Sequence, residues 1–324
     1  HDASFKQQSG CCYSARDVAM KWAQLNNVPI VIGTATPTLE TLRRVQSQAY
    51  HHHVLSAQAV TQRSVKVKMI DMRGQRLEEG VVCTLKAEMQ SCLDEDKQVL
   101  LFLNRRGYSP VLLCHHCGWS GHCERCDTHM VVHQHPEHLR CHQCNKHQPK
   151  PTSCPSCGAS SWLHVGLGTQ RLEGLIQRWF PNHRCLRIDR DVTQTAQQLH
   201  QALDTIHHGG CDIIIGTQMV AKGHDFKRVA MVAILDCDSH LFHPDFRAVE
   251  RLAQMLVQVS GRAGRHMAEA KIWIQTHHPQ HDVFSVLSAE GYHAWAQREL
   301  TKRAQCALPP YWYMATTHFH AHNP

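Results

Sequence analysis

Eight cysteines fall into four Cys-x-x-Cys pairs within a short stretch: Cys114/Cys117, Cys123/Cys126, Cys141/Cys144 and Cys154/Cys157. Two thiolates separated by two residues on a tight turn present half of a tetrahedral zinc site. Four such pairs supply ligands for two all-thiolate tetrahedra. Gly118 and Gly158 directly follow two of the pairs, where a knuckle turn calls for a residue that tolerates φ > 0. A redox pair occurs once, near the start of a βαβ unit, rather than four times in one segment. Iron–sulfur ligands are more crowded than these evenly spread pairs. A disulfide scaffold belongs to a small secreted chain with cysteines throughout. Zinc in a reducing compartment is the reading that the spacing favours. The interleaved His115, His116, His122, His133, His142 and His147 read as solvated bystanders, since eight thiolates already fill two tetrahedra.

Spacing alone leaves open which pairs share a metal. Nested pairing joins the outer pairs on one ion and the inner pairs on the other; crossed pairing joins first to third and second to fourth. The segment between Cys126 and Cys141, DTHMVVHQHPEHLR, can fold back as a hairpin with Pro136 near its bend, which favours nesting. Each ion would contribute on the order of 10 kcal/mol to folding a module too small for a core of its own.

A second kind of chemistry is written in four loops: TATPT (34–38), NRRGY (104–108), GTQMVAKGHDF (216–226) and SGRAGR (260–265). Most combine glycine, small hydroxyl residues and cations. Glycine lets the backbone approach a phosphate, while hydroxyls and amides donate to its oxygens. Arg262 and Arg265 stand three apart and can address one anion, as arginine fingers do in phosphoryl transfer. Taken singly, each loop reads as an ordinary strand-to-helix turn; the set of four in one frame carries the argument. GLGTQR (166–171) lacks the third glycine of a dinucleotide fingerprint and carries no weight.

The elements that must hold these loops are runs of apolar, β-branched residues. They are VPIVIG (28–33), VKVKMID (65–71), QVLLFL (98–103), CDIIIG (211–216), VAMVAILD (229–236) and AKIWIQT (270–276). Such runs suit strands buried on both faces. Between them, Leu172, Leu175, Ile176 and Trp179 mark one helical stripe over 169–180, and Leu252, Met255, Leu256 and Val259 mark another over 247–259. Alternating strands and helices predict a doubly wound α/β parallel sheet, with ligand loops beyond the carboxyl ends of its strands. The 324 residues, with a net charge of +7 counting histidine as neutral, allow two or three domains and lean towards a polyanionic partner. No apolar run is long enough to span a membrane and no secretory signal opens the chain. It begins with His1 and its end reads as a strand cut short, so a fragment of a longer protein is expected.

In this order, the loops resemble the motifs of superfamily 2 helicases. GTATPT is similar to motif III, LLFLNRRGY to the start of a second lobe, IIIGTQMVAKGHDF to motif V and QVSGRAGR to motif VI. With an eight-cysteine insertion after NRRGY, and with GLGTQRLE, RIDRDVT, DFRAVERLAQ and LPP (308–310), the chain resembles the PriA family of replication restart helicases along essentially its whole length. The resemblance implies two RecA-like lobes that clamp ATP with Mg2+ and drive 3′→5′ unwinding at stalled forks during primosome assembly. It implies a bacterial cytoplasmic, nucleoid-associated protein. Its expected partners are branched and single-stranded DNA, primosome proteins and single-stranded DNA-binding protein. The implied segments are the end of a first lobe (1–60), a second lobe (61–113 and 158–279), a two-zinc ribbon-like insertion (114–157) and the start of a C-terminal domain (280–324).

By the same resemblance, Gly223, Asp225 and Gln258 lie beside the nucleotide, and Arg262 and Arg265 are the arginine fingers. Asn104, Arg105, Thr217 and Gln218 follow the DNA backbone, which suits sequence-independent binding. His1 would be the last residue of an Asp-Glu-Glu-His box, and Thr36 would couple the lobes. Phe5 and Tyr13 are the aromatics of a DNA-coupling loop in which Cys11 and Cys12 replace usual residues, and Gln170 stands where glutamate is usual. The family nests its zinc ligands, which implies Cys114, Cys117, Cys154 and Cys157 on one ion and Cys123, Cys126, Cys141 and Cys144 on the other. These residues contain no Gly-x-x-x-x-Gly-Lys-Ser/Thr loop and no magnesium carboxylates, so ATP hydrolysis is expected only of the intact parent. The competing expectation is a non-enzymatic zinc-ribbon module for nucleic acid or protein on an α/β scaffold.

Overall fold

A computed structural model describes residues 5–7, 11, 13–55, 64–103, 111–126, 128–134, 137–141, 144–164, 168–189, 191–217, 219–220, 226–243, 245–261 and 269–315. The chain divides into two compact units, one formed by 1–54 with 296–324 and the other by 55–295.

The first unit holds helices α1 (Ala15–Leu25) and α2 (Leu39–Gln46), together with the end of a long helix described below. Side chains cap both helices at their starts: Asp17 N donates to Ser14 Oγ and Thr41 N to Thr38 Oγ1. Such caps satisfy amides that the helix itself leaves unbonded. The last segment joins this unit through Gln46 Nε2, which donates to Gln297 (2.8 Å), and through Arg43, whose guanidinium stacks over the Tyr311 ring. Arg303 is buried. It donates to Glu299 and to the Pro309 carbonyl, which fixes the LPP turn. The sequence led us to treat the two ends of the chain as separate segments; the structure gathers them into one unit.

VPIVIG, expected as a buried strand, is not one. Residues 28–33 form no strand, and Val31 is 94% exposed. A parallel strand needs hydrogen-bonded neighbours and cover on both faces. Among the described residues the first unit offers no strand to pair with it.

The second unit is built on a sheet. Its elements in chain order are β1 (Ser64–Asp71), the small hairpin β2 (Leu77–Glu78) and β3 (Val81–Val82), α3 (Thr84–Asp94) and β4 (Gln98–Phe102). An inserted module follows, with β5 (Leu112–Cys114), β6 (Val131–Gln134), β7 (Glu137–Arg140), β8 (His147–Pro149) and β9 (Trp162–His164). Then come α4 (Thr169–Trp179), β10 (Cys185–Ile188), α5 (Ala196–His207), β11 (Ile213–Gly216), β12 (Val229–Ile234), α6 (Asp238–Leu241), α7 (Ala248–Ser260), β13 (Glu269–Thr276) and α8 (Asp282–Gln305). The course of α8 is interrupted at Gly291, whose φ is +81°.

Six strands pair in the order β1-β13-β12-β4-β11-β10, all parallel. The runs over 65–71, 98–103, 211–216, 229–236 and 270–276 all contribute strands, as their composition predicts. Alternate residues face opposite sides. Val99, Leu101, Ile213, Ile215, Met231 and Ala233 meet Leu85 and Met89 of α3 and Leu172 and Ile176 of α4 in one core. Leu100, Phe102, Ile214, Val232 and Ile234 point the other way and are buried too, so both faces are covered. Both predicted helical stripes, on α4 and α7, are buried.

Strand β10 carries no apolar run that would announce it, because it is an edge strand. CLRI carries Arg187, and three of its four residues are only partly buried. The opposite edge, β1, likewise alternates Lys66 and Lys68 with apolar residues, and Lys68 lies over the Trp273 ring. Charged edges discourage pairing with foreign strands.

At the end of β11 the backbone passes so close to Val220 that a Cβ on Gly216 would collide with its side chain. Gly216→Ala is therefore expected to cost the lobe about 1–3 kcal/mol by overpacking. The Gly216→Ala, Val220→Ala double variant should recover more than additivity allows, as read from denaturant unfolding of a double-mutant cycle.

Candidate metal centres and the ligand edge of the sheet

The inserted module begins and ends on one antiparallel stem, β5 against β9, in which Cys114 pairs with Trp162. Its outer cysteine pairs sit at the end of this stem. Of its inner pairs, Cys123/Cys126 precedes a three-stranded meander, β6-β7-β8, and Cys141/Cys144 lies on the turn between β7 and β8. Gln134 pairs with Glu137, so the chain reverses across 135–136; Pro136, expected near the bend, lies outside the described residues.

Three knuckles show the same backbone pattern. Gly118 N donates to Cys114 O, Asn145 N to Cys141 O and Gly158 N to Cys154 O, each at 2.9 Å. The donor in each case has positive φ: +80° at Gly118, +63° at Asn145 and +75° at Gly158. Asparagine is among the few residues besides glycine that tolerate this region. The turn thus explains Asn145, a position the sequence reading passed over.

The sulfur atoms converge in two groups. Cys114, Cys117, Cys154 and Cys157 form one, and Cys123, Cys126, Cys141 and Cys144 the other, with all ligand atoms of a group within 4.8 Å of one another. This is the nested arrangement. Sγ–Sγ separations are 3.7 Å for Cys114–Cys157, 3.7 Å for Cys117–Cys154 and 3.5 Å for Cys123–Cys144. Zn–S bonds of about 2.3 Å at tetrahedral angles place sulfurs about 3.8 Å apart, so both clusters fit a zinc ion. A dication lets all four thiols of a group ionise together. The Cys126 thiol is otherwise pushed up to about 12, first by its hydrogen bond to Cys144 and then by desolvation.

The histidines are not all bystanders. His116, His122 and His147 are exposed, and His133 and His147 each stack on His138 in a row across the meander. His142 lies outside the described residues. His115 departs from the expectation. Its Nε2 donates to the Gln75 carbonyl (2.7 Å), and its Nδ1 meets His277 Nε2 at 3.1 Å. His277 Nδ1 then meets Asp238 Oδ2 at 2.7 Å. Both ends of this chain, a carbonyl and a carboxylate, are acceptors, so both outer ring nitrogens carry hydrogen. The inner contact links the two rings, so the chain of hydrogen bonds runs from the Gln75 carbonyl to Asp238. Asp238 also accepts from His277 N (3.0 Å) and from Thr276 Oγ1. Beside it, His278 Nε2 donates to the Gly118 carbonyl (2.9 Å). His129 of the module packs edge-on against Phe242. Sequence reasoning missed this network because its members are far apart along the chain. The consecutive histidines after β13 were the one available signal.

The other candidate centre is the carboxyl edge of the sheet. Thr217 follows β11 directly and is buried. Gln258 lies in α7 and is half-buried. Asp189, after β10, accepts from Thr169 Oγ1 and from the amides of Asp191 and Val192. This gives RIDRDVT a turn-forming role. Asp236, after β12, keeps part of its surface in contact with solvent. Its carboxyl is nonetheless enclosed closely enough that desolvation, with Asp238 adding and Ser239 opposing, pushes it up to about 7. In the first unit, Thr36 is buried, its amide donating to Thr34 Oγ1. Phe5 and Tyr13 are exposed at 56% and 50% and flank a short antiparallel bridge between Lys6 and Ser14. His1, Asn104, Arg105, Gln218, Gly223, Asp225, Arg262 and Arg265 lie outside the described residues.

A parallel α/β lobe with a two-cluster cysteine-rich insertion is the build of a helicase C-terminal lobe, and the comparisons agree. The family described as "Helicase conserved C-terminal domain" matches residues 164–267, and the "PriA DNA helicase Cys-rich region (CRR) domain" matches 123–149. The replication restart protein PriA of Haemophilus influenzae is 44% identical over 97% of this chain. That of Bacillus subtilis is 37% identical, also over 97%. The chain belongs to the PriA family. It spans 43% and 40% of the length of these two relatives. Among solved structures, yeast Dbp5 bound to RNA and ADP BeF3 aligns with a TM-score of 0.44 at 13% identity, covering 91% of this chain and 60% of that one.

Metal analysis of the purified protein is expected to return two zinc ions per chain, and Cys123→Ser and Cys154→Ser one each. A single ion in the wild type, or iron, would contradict the assignment. The raised Asp236 carboxyl makes a separate prediction. An acid whose folded pKa exceeds its unfolded value destabilises the fold as pH rises between the two, here from about 4 to about 7. Asp236→Asn should therefore raise the melting temperature of the lobe at pH 8, with a smaller gain at pH 5.

Proposed function

We propose that this chain is the second motor lobe and zinc module, with part of the first lobe, of an ATP-dependent DNA helicase. It would unwind 3′→5′ at stalled replication forks and serve primosome assembly in replication restart. The observation that carries this reading is the join of a helicase-type parallel lobe to a cysteine-rich insertion that matches the one described for PriA.

In this reading Arg262 and Arg265 reach from the end of α7 to the nucleotide, where they stabilise charge developing on the transferred phosphoryl group. Gly223, Asp225 and Gln258 line the same nucleotide, ATP with Mg2+. Asn104, Arg105, Thr217 and Gln218 follow one DNA strand beyond the carboxyl ends of β4 and β11, with backbone contacts that suit any sequence. Phe5 and Tyr13 offer exposed rings on which bases can stack. Thr36 and His1 pass DNA contact to the hydrolytic site. Zinc, when bound, cross-links the module and takes no part in hydrolysis. The partners are branched and single-stranded DNA, primosome proteins and single-stranded DNA-binding protein, in the bacterial cytoplasm. Among the described residues no helix is long and apolar enough to cross a membrane.

In the full-length protein, Arg265→Ala is expected to lower DNA-stimulated ATP hydrolysis by about 10³-fold or more, the scale of a lost arginine finger, with DNA binding changed little. Wild-type turnover by that variant would remove the finger role. A zinc-ribbon binding module without motor activity would show no DNA-stimulated hydrolysis in either protein.

A further inference from the structure

The two zinc clusters resemble each other in sequence but not in what they touch. The first knuckle of the outer cluster is held to the lobe by a set of hydrogen bonds. Gln75 and His277 bind both nitrogens of the His115 ring, and His278 binds the Gly118 carbonyl. Gly74 N also donates to the His115 carbonyl (3.0 Å). His277 is 3% exposed and Asp238 5%. A buried polar network rigidifies its surroundings where every member is satisfied, and here each acceptor is matched. The fit is tight: a Cβ on Gly118 would lie 3.1 Å from the His277 carbonyl and 3.2 Å from His278 Nε2. Asp238 follows β12 and the two histidines follow β13, so the groups that hold the module belong to central strands of the sheet.

We propose that Asp238, His277 and His278 form a clamp that fixes the orientation of the zinc module on the lobe. Through the outer cluster's first knuckle, the module then moves with the sheet as one body. These are positioning residues; they hold the module without touching nucleotide or DNA. In the PriA-type motor of the preceding section, on which the functional half of this proposal rests, the clamp carries lobe movement to the zinc module. Strand separation would need it and nucleotide hydrolysis would not.

The test uses the full-length, zinc-loaded protein with nitroxide labels at Glu137 on the module and His200 on the lobe, introduced through a non-cysteine amino acid. Wild type is expected to give a single narrow distance distribution. His277→Ala and Asp238→Asn should broaden it while two zinc ions per chain are retained. Asp238→Asn is informative because an amide in place of the carboxylate presents a donor to a site that receives three. His116→Ala, at an exposed position in the same knuckle, should leave the distribution unchanged. In the same proteins, duplex unwinding by His277→Ala should fall roughly tenfold, the scale of coupling lost between packed elements. DNA-stimulated hydrolysis should stay within about twofold. If His277→Ala releases zinc, His278→Ala, which removes the Gly118 bond and a ring contact with Phe242 but leaves the His115–His277–Asp238 chain in place, decides instead. An unchanged distance distribution in the clamp variants would overturn the proposal. Absence of unwinding by the wild type would instead overturn the motor reading, and the distance measurement would still judge the clamp.

Discussion

Two groups of four thiols hold together a module that has almost nothing else. Its hydrophobic cluster consists of Leu112, Cys123, Met130, Val132, Leu139 and Cys141, and two of these six are themselves ligands. A cluster this small supplies little hydrophobic free energy against the entropy of ordering more than forty residues. Metal–thiolate bonds therefore carry the fold of the module, as they do wherever a small domain lacks a core. The other features depend on those bonds. The stem of β5 and β9 is only three residues long on each side, and the outer cluster closes its end. The hairpin β6-β7 leads the chain from one inner knuckle to the other, and β8 follows the second. The docking contacts to the lobe exist only if the Cys114 knuckle holds its shape.

The lobe sets where this module can sit. Parallel strands must be joined by crossovers, so every loop that follows a strand emerges at one edge of the sheet. The insertion leaves after β4, a central strand, and lands against the residues that follow β12 and β13. The candidate nucleotide and DNA loops follow β4 and β11, or end α7. One geometric rule, common to all doubly wound sheets, thus brings the metal module, Thr217 and the acids that follow β10 and β12 to the same side of the lobe. It also explains the buried polar residues there. Asp189, Thr217 and Asp238 all come just after strands, where backbone amides and hydroxyls are available to satisfy them.

The readable part of this molecule was whatever is local in sequence. Cys-x-x-Cys spacing, the glycine after a knuckle and the apolar runs over 98–103 and 229–236 each reflect a rule that acts within a few residues. The unreadable part involved distant partners. VPIVIG has the composition of a buried strand, but composition cannot show whether neighbours are present to bury it. CLRI forms a strand despite Arg187 because an edge position tolerates charge. His115 looked like one histidine among many, and its role depends on His277, 162 residues away. Asn145 is the intermediate case: its position after Cys144 was visible, and only the shared turn geometry of the knuckles gives it meaning.

The asymmetry of the two clusters has an electrostatic side as well. A zinc ion with four thiolates carries a net charge of −2. One residue from Cys114, His115 bonds to His277, and Asp238 lies beyond it. Around the inner cluster the charged neighbours are Lys146, paired with Glu124, and Arg140, which donates to Asn145; all are exposed or nearly so, where ion pairs contribute little. Identical ligand sets therefore produce unequal attachments. The outer cluster is tied to the lobe through His115 and the Gly118 carbonyl, while the inner ligands Cys123 and Cys141 join the module's own small core. A chain that needed metals only for stability would have no reason to differentiate them in this way. The hydrogen-bond chain beside one knuckle is what a fixed orientation requires.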